Sequence, residues 1–463
     1  MMSNSTQHKR TALVIGGSLA GMFTARVLAD HFDYVTILER DQLPDGVASR
    51  PGVPQDRQVH ILLERGAQIA DSLFPGIHDD LVAKGAHKVD LSQDMLVWSI
   101  SNSRWMDRYI SGRTSYSCSR LLFEQVIRQR LYADVRISFV ERSRVCGLQT
   151  DDSGHRVTGV LVEDRDTNAQ RTMLADFVVD ASGRSSKAST WLPKIGYDAP
   201  EETSINAGLG YAGRRYRLAE RNPDRTERDW KSMLIPSKAP HYPRAGLIYA
   251  EENGVWMVLV TSYLHDYPPT DEAGFLAFAE SIHPAFYAQV KDATPVGNII
   301  GYRQTQNRLC HFDRLQRWPE HFVVVGDAVC CFNPIYGQGM SVAAITADTL
   351  GQHLTRANGN LDGLAQKFQR AVPKITETAW MLATGADANW LPDVDTPKRS
   401  LARRAVHWYI NQLLMGISTN RNLREAFSSV QNLMKPPTSL FHPLVAKDVF
   451  RHWVTNRQYP QNA

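Results

Sequence analysis

Gly16-Gly17-Ser18-Leu19-Ala20-Gly21 follows a short apolar run at 11–15 and opens a stretch with helical spacing. That order of residue types could hold a phosphate. A dinucleotide-binding turn needs a tight bend at its first glycine. It needs close backbone approach to a pyrophosphate at the second position and close helix–strand packing at the third. A helix start there adds free N–H groups and a partial positive charge. Ser18 stands where G-x-G-x-x-G has its second glycine; it carries a Cβ but remains small. The next apolar run, 34–39, ends in Glu39, about 20 residues on, where a carboxylate can grip ribose hydroxyls. The alternative is a strand–turn–helix that binds nothing, and this context disfavours it.

A second constellation is "GDAVCCFNPIYGQGMSVAA" at 326–344. Asp327 ends a buried apolar run, and an acidic group at a strand end points into the crevice where α/β sheets bind ligands. Pro334 begins a tight turn through Gly337, Gln338, Gly339 and Met340, after which small apolar residues recur at helical spacing. The glycines would let a flat ring lie against the backbone. The helix start would stabilise negative charge on it. Close packing of a helix on a sheet explains the same glycines without a ligand.

These groups need a scaffold. The runs 11–15 and 34–39 flank a helix over 18–32, which makes a β-α-β unit. A Pro/Gly loop turning helical spans 50–66, a helix spans 119–132, and a strand spans 135–141. Short strands broken by turn clusters fill 143–180 and end in a buried strand at 176–180. Residues of about 200–310 are rich in aromatic and β-branched types and read as a sheet lobe, with a helix at 271–283. A buried strand returns at 321–325, and the pattern from about 366 onward is helical.

Length and composition bound the rest. The 463 residues suit two or three lobes. Apolar residues make up 43% and charged residues 22%, so a sizeable core is available. A net charge of +4 without a basic block gives no sign of nucleic-acid binding. The five cysteines show no metal spacing and are odd in number, which points to a reducing compartment and to no metal site. The N-terminal apolar run is too short for a signal peptide, and no run is long enough to span a bilayer. These features point to a soluble, cytoplasmic protein.

Taken together, the 16–21 turn with Glu39, "DASGRSS" at 180–186 and the 326–344 stretch resemble the FAD-dependent monooxygenases of the para-hydroxybenzoate-hydroxylase fold, the class A flavoprotein monooxygenases. Within that group the sequence is most similar to bacterial polyether epoxidases and related tailoring monooxygenases. "RPGVPQDRQVHILLERG", "DASGRSSKASTWLPKIGY", "YPPTDEAGFLAFAES" and "RWPEHFVVVGDAVCCFNPIYGQGM" carry that likeness. The resemblance implies an α/β fold: a GR2-type, Rossmann-like FAD-binding domain with an inserted sheet-rich substrate lobe and C-terminal helices. The expected FAD domain is discontinuous (1–75, 100–190, 310–365). The sheet lobe takes 76–99 and 191–309, and a helical cap takes 366–463.

The resemblance also implies roles. Gly16, Ser18 and Gly21, with Gly17, Leu19 and Ala20 between them, hold the FAD pyrophosphate. Glu39 binds the adenosine ribose, with Arg40 near the adenine. Arg120 reaches the phosphates or ribitol, and Asp327 binds the ribitol. Pro334 and Gly337, Gln338, Gly339 and Met340 lie along the isoalloxazine. Asp180 opens the second signature, which reads Asp180-Ala181-Ser182-Gly183 where the hydroxylases have "DG". That form also occurs in reductases and halogenases of this fold.

The implied reaction uses NADPH or NADH to reduce FAD, and O2 captured as a flavin C4a-hydroperoxide. One oxygen atom goes to a lipophilic small molecule of secondary metabolism, by alkene epoxidation or hydroxylation. The cofactor carries the difficult chemistry, so no dedicated acid–base residue is assigned. Neither "ENGVWMVLV" nor "DWKSMLIP" fits the W-x-W-x-I-P stretch of halogenases. A flavin-dependent reductase, dehydrogenase or halogenase of the same fold, and a flavin-binding protein without catalysis, remain as alternatives. Oligomeric state is left open.

Other residues invite readings beside bland ones. Cys330-Cys331 is read as packing rather than redox chemistry. His60 is read as a hydrogen-bonded structural residue on a helix. Arg50 and Arg57 could meet a nicotinamide cofactor or be solvated. Tyr211, Trp256 and Tyr302 could line a pocket or fill the core. The basic amphipathic segment 396–418 is read as a helical cap in preference to a membrane-surface helix.

Overall fold

The computed structural model describes residues 9–218, 229–391 and 401–458. The residues before Lys9 and the start of the 396–418 segment lie outside the described residues. The chain divides into two compact units. One is drawn from the chain up to Gly85, Cys118–Ile205 and Gln306–Trp380; the other from Ala86–Ser117, Asn206–Thr305 and Met381 onward.

The first unit is built on a five-stranded parallel sheet. Its elements are β1 (Thr11–Ile15), α1 (Leu19–Leu28), β2 (Tyr34–Leu38), α2 (Glu64–Leu73), α3 (Arg120–Tyr132), β3 (Ile137–Val140), β4 (Phe177–Asp180), β5 (Phe322–Val324) and α4 (Gly339–Ala357). The strand order is β5-β4-β1-β2-β3. The chain leaves β1 toward β2 on one side and is met by β4 on the other, so the order reverses at β1. A crevice opens at such a switch point outside the carboxyl ends of the strands.

Strands covered on both faces must be apolar throughout, and Phe177, Val178 and Val179 of β4 are fully buried. Each such side chain contributes about 1.5–3 kcal/mol through burial. Gln170–Leu174, Val157–Asp164 and Ser143–Thr150 form a separate antiparallel ribbon, as the turn clusters predict.

Helix ends follow local chemistry. Ser119 caps α3 by accepting from the Leu122 N–H at 3.1 Å, worth about 1 kcal/mol. α4 stops where Asn358 turns left-handed. One expectation fails. The helix foreseen over the end of 50–66 starts only at Glu64, after a single 3-10 turn at Pro54–Arg57. Between them the Leu63 N–H donates to Ser341 Oγ at 2.9 Å, and the Gln58 carbonyl faces the His60 ring at 3.0 Å. His60 therefore sits in a segment without regular secondary structure, not on a helix.

The second unit holds a seven-stranded, mainly antiparallel sheet. Asp271 caps its helix Glu272–Ile282 through the Gly274 N–H at 2.8 Å, and that helix covers the sheet. Tyr211 is buried and stacked on Tyr302, and Trp256 packs against Trp230 at the edge of the core. The same unit holds helices Leu401–Gly416, Arg421–Gln431 and Pro443–Gln458. These pack on a small core of their own around Leu413, Leu423 and Val449.

Candidate functional site

Four predicted groups come together at the carboxyl edge of the parallel sheet. β1 leads into Gly16, β2 into Glu39, β4 ends at Asp180, and β5 leads through a 3-10 turn to Asp327. Gly16 adopts φ +104°, and its N–H donates to the Leu38 carbonyl at 2.8 Å. A Cβ at Gly21 would stand 1.8 Å from the Gly16 carbonyl oxygen, so α1 meets the turn at backbone contact. Leu19, Ala20 and Gly21 form the first turn of α1, whose N–H groups have no acceptor inside the helix. Ser18 is the residue before α1, but its side chain does not cap the helix. Its hydroxyl donates to Glu124 Oε1 at 2.6 Å and accepts from Arg120 Nη2 at 2.8 Å.

Arg120, the first residue of α3, also binds Glu124 directly, with Nη2–Oε1 at 3.0 Å. Its Nη1 meets His60 Nε2 at 3.0 Å. A guanidinium only donates, so Nε2 must accept and the His60 proton must lie on Nδ1, facing the Gln58 carbonyl. Burial, with Arg120 beside it, pushes the His60 ring down to about 3, so it stays neutral. Burial alone would push the Glu124 carboxyl up. Arg120 and then Arg50 outweigh it and hold the carboxyl below its ordinary range.

Glu39 accepts from the Gly17 N–H at 2.9 Å and from the Asp41 N–H at 2.9 Å, which fixes its carboxylate beside the turn. Arg50 is buried among three carboxylates, Glu39 at 3.5 Å, Glu124 at 3.6 Å and Asp41 at 3.9 Å. It is therefore not a solvated loop charge. Its Nε and Nη2 nonetheless hold no hydrogen bond. Arg40 lies apart from this group, reaching Gly52 O at 3.1 Å and Ser185 Oγ at 3.4 Å. Arg57 is exposed and donates to Ser49 Oγ at 3.0 Å.

Asp180 is fully buried. Its carboxylate accepts from Ser182 N, Ser182 Oγ and Ser186 Oγ at 2.9, 2.5 and 2.6 Å, so it organises its own turn. Burial pushes the Asp327 carboxyl up, against the pull of Arg184, Arg120 and Arg308. Pro334 starts a 3-10 turn that ends at Gly337 with φ +65°, and α4 begins two residues later with Gly339 and Met340. Gln338 precedes α4 and is buried, and its Oε1 has no hydrogen-bond partner.

Glu124, Arg184 and Arg308 were not foreseen. Arg184 lies inside the quoted 180–186 signature, and Glu124 is one helical turn beyond Arg120, on the same face. No sequence signal marks Arg308. It donates to the Arg184 carbonyl at 3.0 Å, and its Nη2 lies 3.8 Å from Cys331 Sγ.

The adjacent thiols are buried. Cys331 Sγ donates to the Asp327 carbonyl at 2.8 Å, and burial, then the Asp327 charge, push it up to about 12. Burial also drives Cys330 well above its ordinary value. Thiolate is the reactive form. In the native protein a disulfide reagent such as DTNB at mildly alkaline pH is therefore expected to label the half-buried Cys146 first. Cys330 and Cys331 should react only after unfolding. Peptide mapping of the labelled protein checks the order, and early labelling at Cys331 would contradict the packing reading.

A dinucleotide carrying a flat ring fits this donor set. The α1 start is uncapped by Ser18, Arg50 has buried donors without hydrogen bonds, and Gln338 Oε1 is an orphaned acceptor beside the α4 start. Among the described residues no His, Cys, Asp and Glu cluster could hold a metal ion, and no helix is long and apolar enough to cross a membrane.

Comparison with known proteins agrees with that geometry. A family model described as an FAD binding domain matches residues 9–360. Protein Rv3254 of Mycobacterium tuberculosis is 33% identical over 391 residues, covering 82% of this chain and 81% of that protein. Three solved structures share the fold. A flavoprotein/dehydrogenase from Cytophaga hutchinsonii aligns with TM-score 0.66 and 15% identity over 97% of this chain and 98% of its own. The flavin-dependent brominase Bmp2 aligns with TM-score 0.65 and 14% identity over 97% and 99%. PqsL of Pseudomonas aeruginosa, described as a probable FAD-dependent monooxygenase, aligns with TM-score 0.59 and 16% identity over 83% and 98%.

Proposed function

This chain belongs to the FAD-binding-domain family, and on that premise we propose that it is a flavin-dependent oxidoreductase of the monooxygenase type. It would use NADPH or NADH and O2 to place one oxygen atom on a lipophilic small molecule, by alkene epoxidation or hydroxylation. The observation that carries the reading is the convergence at the switch point of β1. There a glycine turn, the uncapped start of α1, Asp327 and the start of α4 lie along one sheet edge.

Bound FAD would supply the electron transfer and the oxygen activation. The chain would supply position and field. In this reading the 16–21 turn and the first-turn amides of α1 receive the pyrophosphate, with Arg120 as their cationic partner. Glu39, held by two backbone amides, presents its remaining lone pairs to the ribose, and Arg40 lies toward the adenine. Asp327 takes the ribitol. Pro334 and the Gly337–Met340 backbone take the ring, with Gln338 Oε1 accepting from a ring or ribitol donor. The α4 start then stabilises negative charge on the reduced ring. Asp180 acts at one remove, by shaping the turn beside β1.

The purified protein is expected to be yellow or to take up added FAD. Without oxygen, NADPH or NADH should bleach the flavin band, and admitting air should restore it with release of hydrogen peroxide when no substrate is present. A protein that takes up no FAD would overturn the family reading. A flavoprotein reduced by neither nucleotide, yet active with chemically reduced flavin and halide, would be a halogenase instead. Reduction by a nucleotide with no reoxidation by O2 would indicate a dehydrogenase.

A further inference from the structure

We propose that the exposed face of the C-terminal helix Pro443–Gln458 docks on an anionic lipid bilayer. One side of this helix is accounted for: Val449 is buried with Leu413, Leu423 and Leu440. On the opposite side Leu444 is 68% exposed and Val454 51%. At the flank Phe450, 47% exposed, packs against Trp408 and Trp453, and Phe441, just before the helix, is 45% exposed and stacks on Tyr409. Leu444, Lys447, Arg451 and Val454 follow at spacings of three and four residues, so they share one face, with Phe450 at its flank. Lys447 and Arg451 are also exposed. The nearest acid, Asp448, accepts from Asn422 Nδ2 at 3.0 Å and so is engaged by the neighbouring helix. The free face is thus apolar and basic, with no acid in the stripe.

That charge pattern selects the occupant. A second copy meeting this face about a two-fold axis would bring the same patch against itself. Lys447 and Arg451 would then oppose the partner copy's own cations with no carboxylate between them. An anionic membrane surface matches the pattern instead. Aliphatic and aromatic side chains enter the headgroup boundary, and the long basic side chains keep their charged ends at the phosphates. No described helix can span a bilayer, so the contact would be peripheral. The placement does not depend on the redox reading.

The test uses the full-length, FAD-loaded protein and sedimentation with two kinds of vesicle, phosphatidylcholine alone and phosphatidylcholine mixed with phosphatidylserine. Pelleting is expected with the mixed vesicles, falling as salt is raised. Each basic residue near an anionic surface is worth about fivefold in partitioning. Lys447→Glu with Arg451→Glu should therefore weaken binding by about 25-fold or more. Leu444→Ser with Val454→Ser should remove what remains. All four positions are exposed, so thermal midpoint and flavin absorbance should match the parent, which separates lost docking from lost folding. Failure to pellet with mixed vesicles, or pelleting unchanged by the double charge reversal, would overturn the proposal. So would a concentration-dependent dimer in sedimentation velocity that the same reversal abolishes, since the face would then belong to a second copy.

Discussion

Gly21→Ala is expected to yield a protein that purifies without flavin and unfolds at markedly lower urea concentration. The added Cβ would stand 1.8 Å from the Gly16 carbonyl oxygen, 3.0 Å from its carbon and 3.3 Å from Val14 Cγ1. None of these can yield like the end of a flexible side chain: two are backbone atoms and the third belongs to the buried strand β1. Either α1 moves away from β1 or the turn at Gly16 opens. The first forfeits packing at about 3 kcal/mol, near the upper end of what overpacking usually costs. The second displaces the α1 N–H groups that we propose receive the pyrophosphate. Gly46→Ala is the control, since a Cβ there meets nothing within 4 Å, and its stability should stay within about 0.5 kcal/mol of the parent. Flavin-to-protein absorbance and urea midpoints measure both. A Gly21→Ala protein with full flavin and an unchanged midpoint would refute the close-packed turn.

Arg120→Met should cost about 3 kcal/mol at neutral pH, because it takes the nearest cation from a buried carboxylate. In the parent protein Glu124 is held below its ordinary value of 4.5 despite its burial. Its stabilising contribution is therefore present above that value and lost as pH falls through the lower folded value. Without Arg120, Glu124 keeps Arg50 at 3.6 Å but loses its nearest cation and the hydroxyl arrangement around Ser18. Burial then dominates and the folded carboxyl rises. Protonation relieves the strain, so the gap between parent and variant should be widest near neutral pH and should narrow at about pH 5. Urea titrations at both pH values read this directly. A pH-independent gap would mean that lost packing, not Glu124, sets the cost. FAD affinity should fall at least tenfold in the same variant, if Arg120 meets the phosphates as proposed.

The two predictions rest on features of different legibility. The turn at Gly16–Gly21 could be read directly, because strand, turn and helix start lie within a few residues and each type has one local reason to be there. The same holds for Asp327 after β5 and for the Pro334–Met340 turn. Where local reading failed, a distant group had intervened. The helix foreseen before Glu64 is pre-empted by Ser341, which takes the Leu63 N–H across a separation of 278 residues. Arg50 looked like a loop charge because the carboxylates that surround it come from two other segments of the chain. That Tyr211 and Tyr302 stack on each other was equally out of reach, because strand register across the sheet sets that pairing.

Hydrophobic period, turn chemistry and the order of signatures specify the α/β class, the parallel strands and the glycine turn between β1 and α1. They do so because those signals act between neighbours in the chain. The tertiary structure alone decides that Ser18, Arg50, His60, Arg120 and Glu124 share one buried network, and that His60 must be neutral within it. Burial and ion pairing depend on distance in space, and groups up to 106 residues apart reach hydrogen-bond range here only after the chain has folded. The same reason leaves the free face of the last helix invisible in sequence. An amphipathic pattern shows that a helix has an apolar side, but only packing shows which apolar residues stay uncovered.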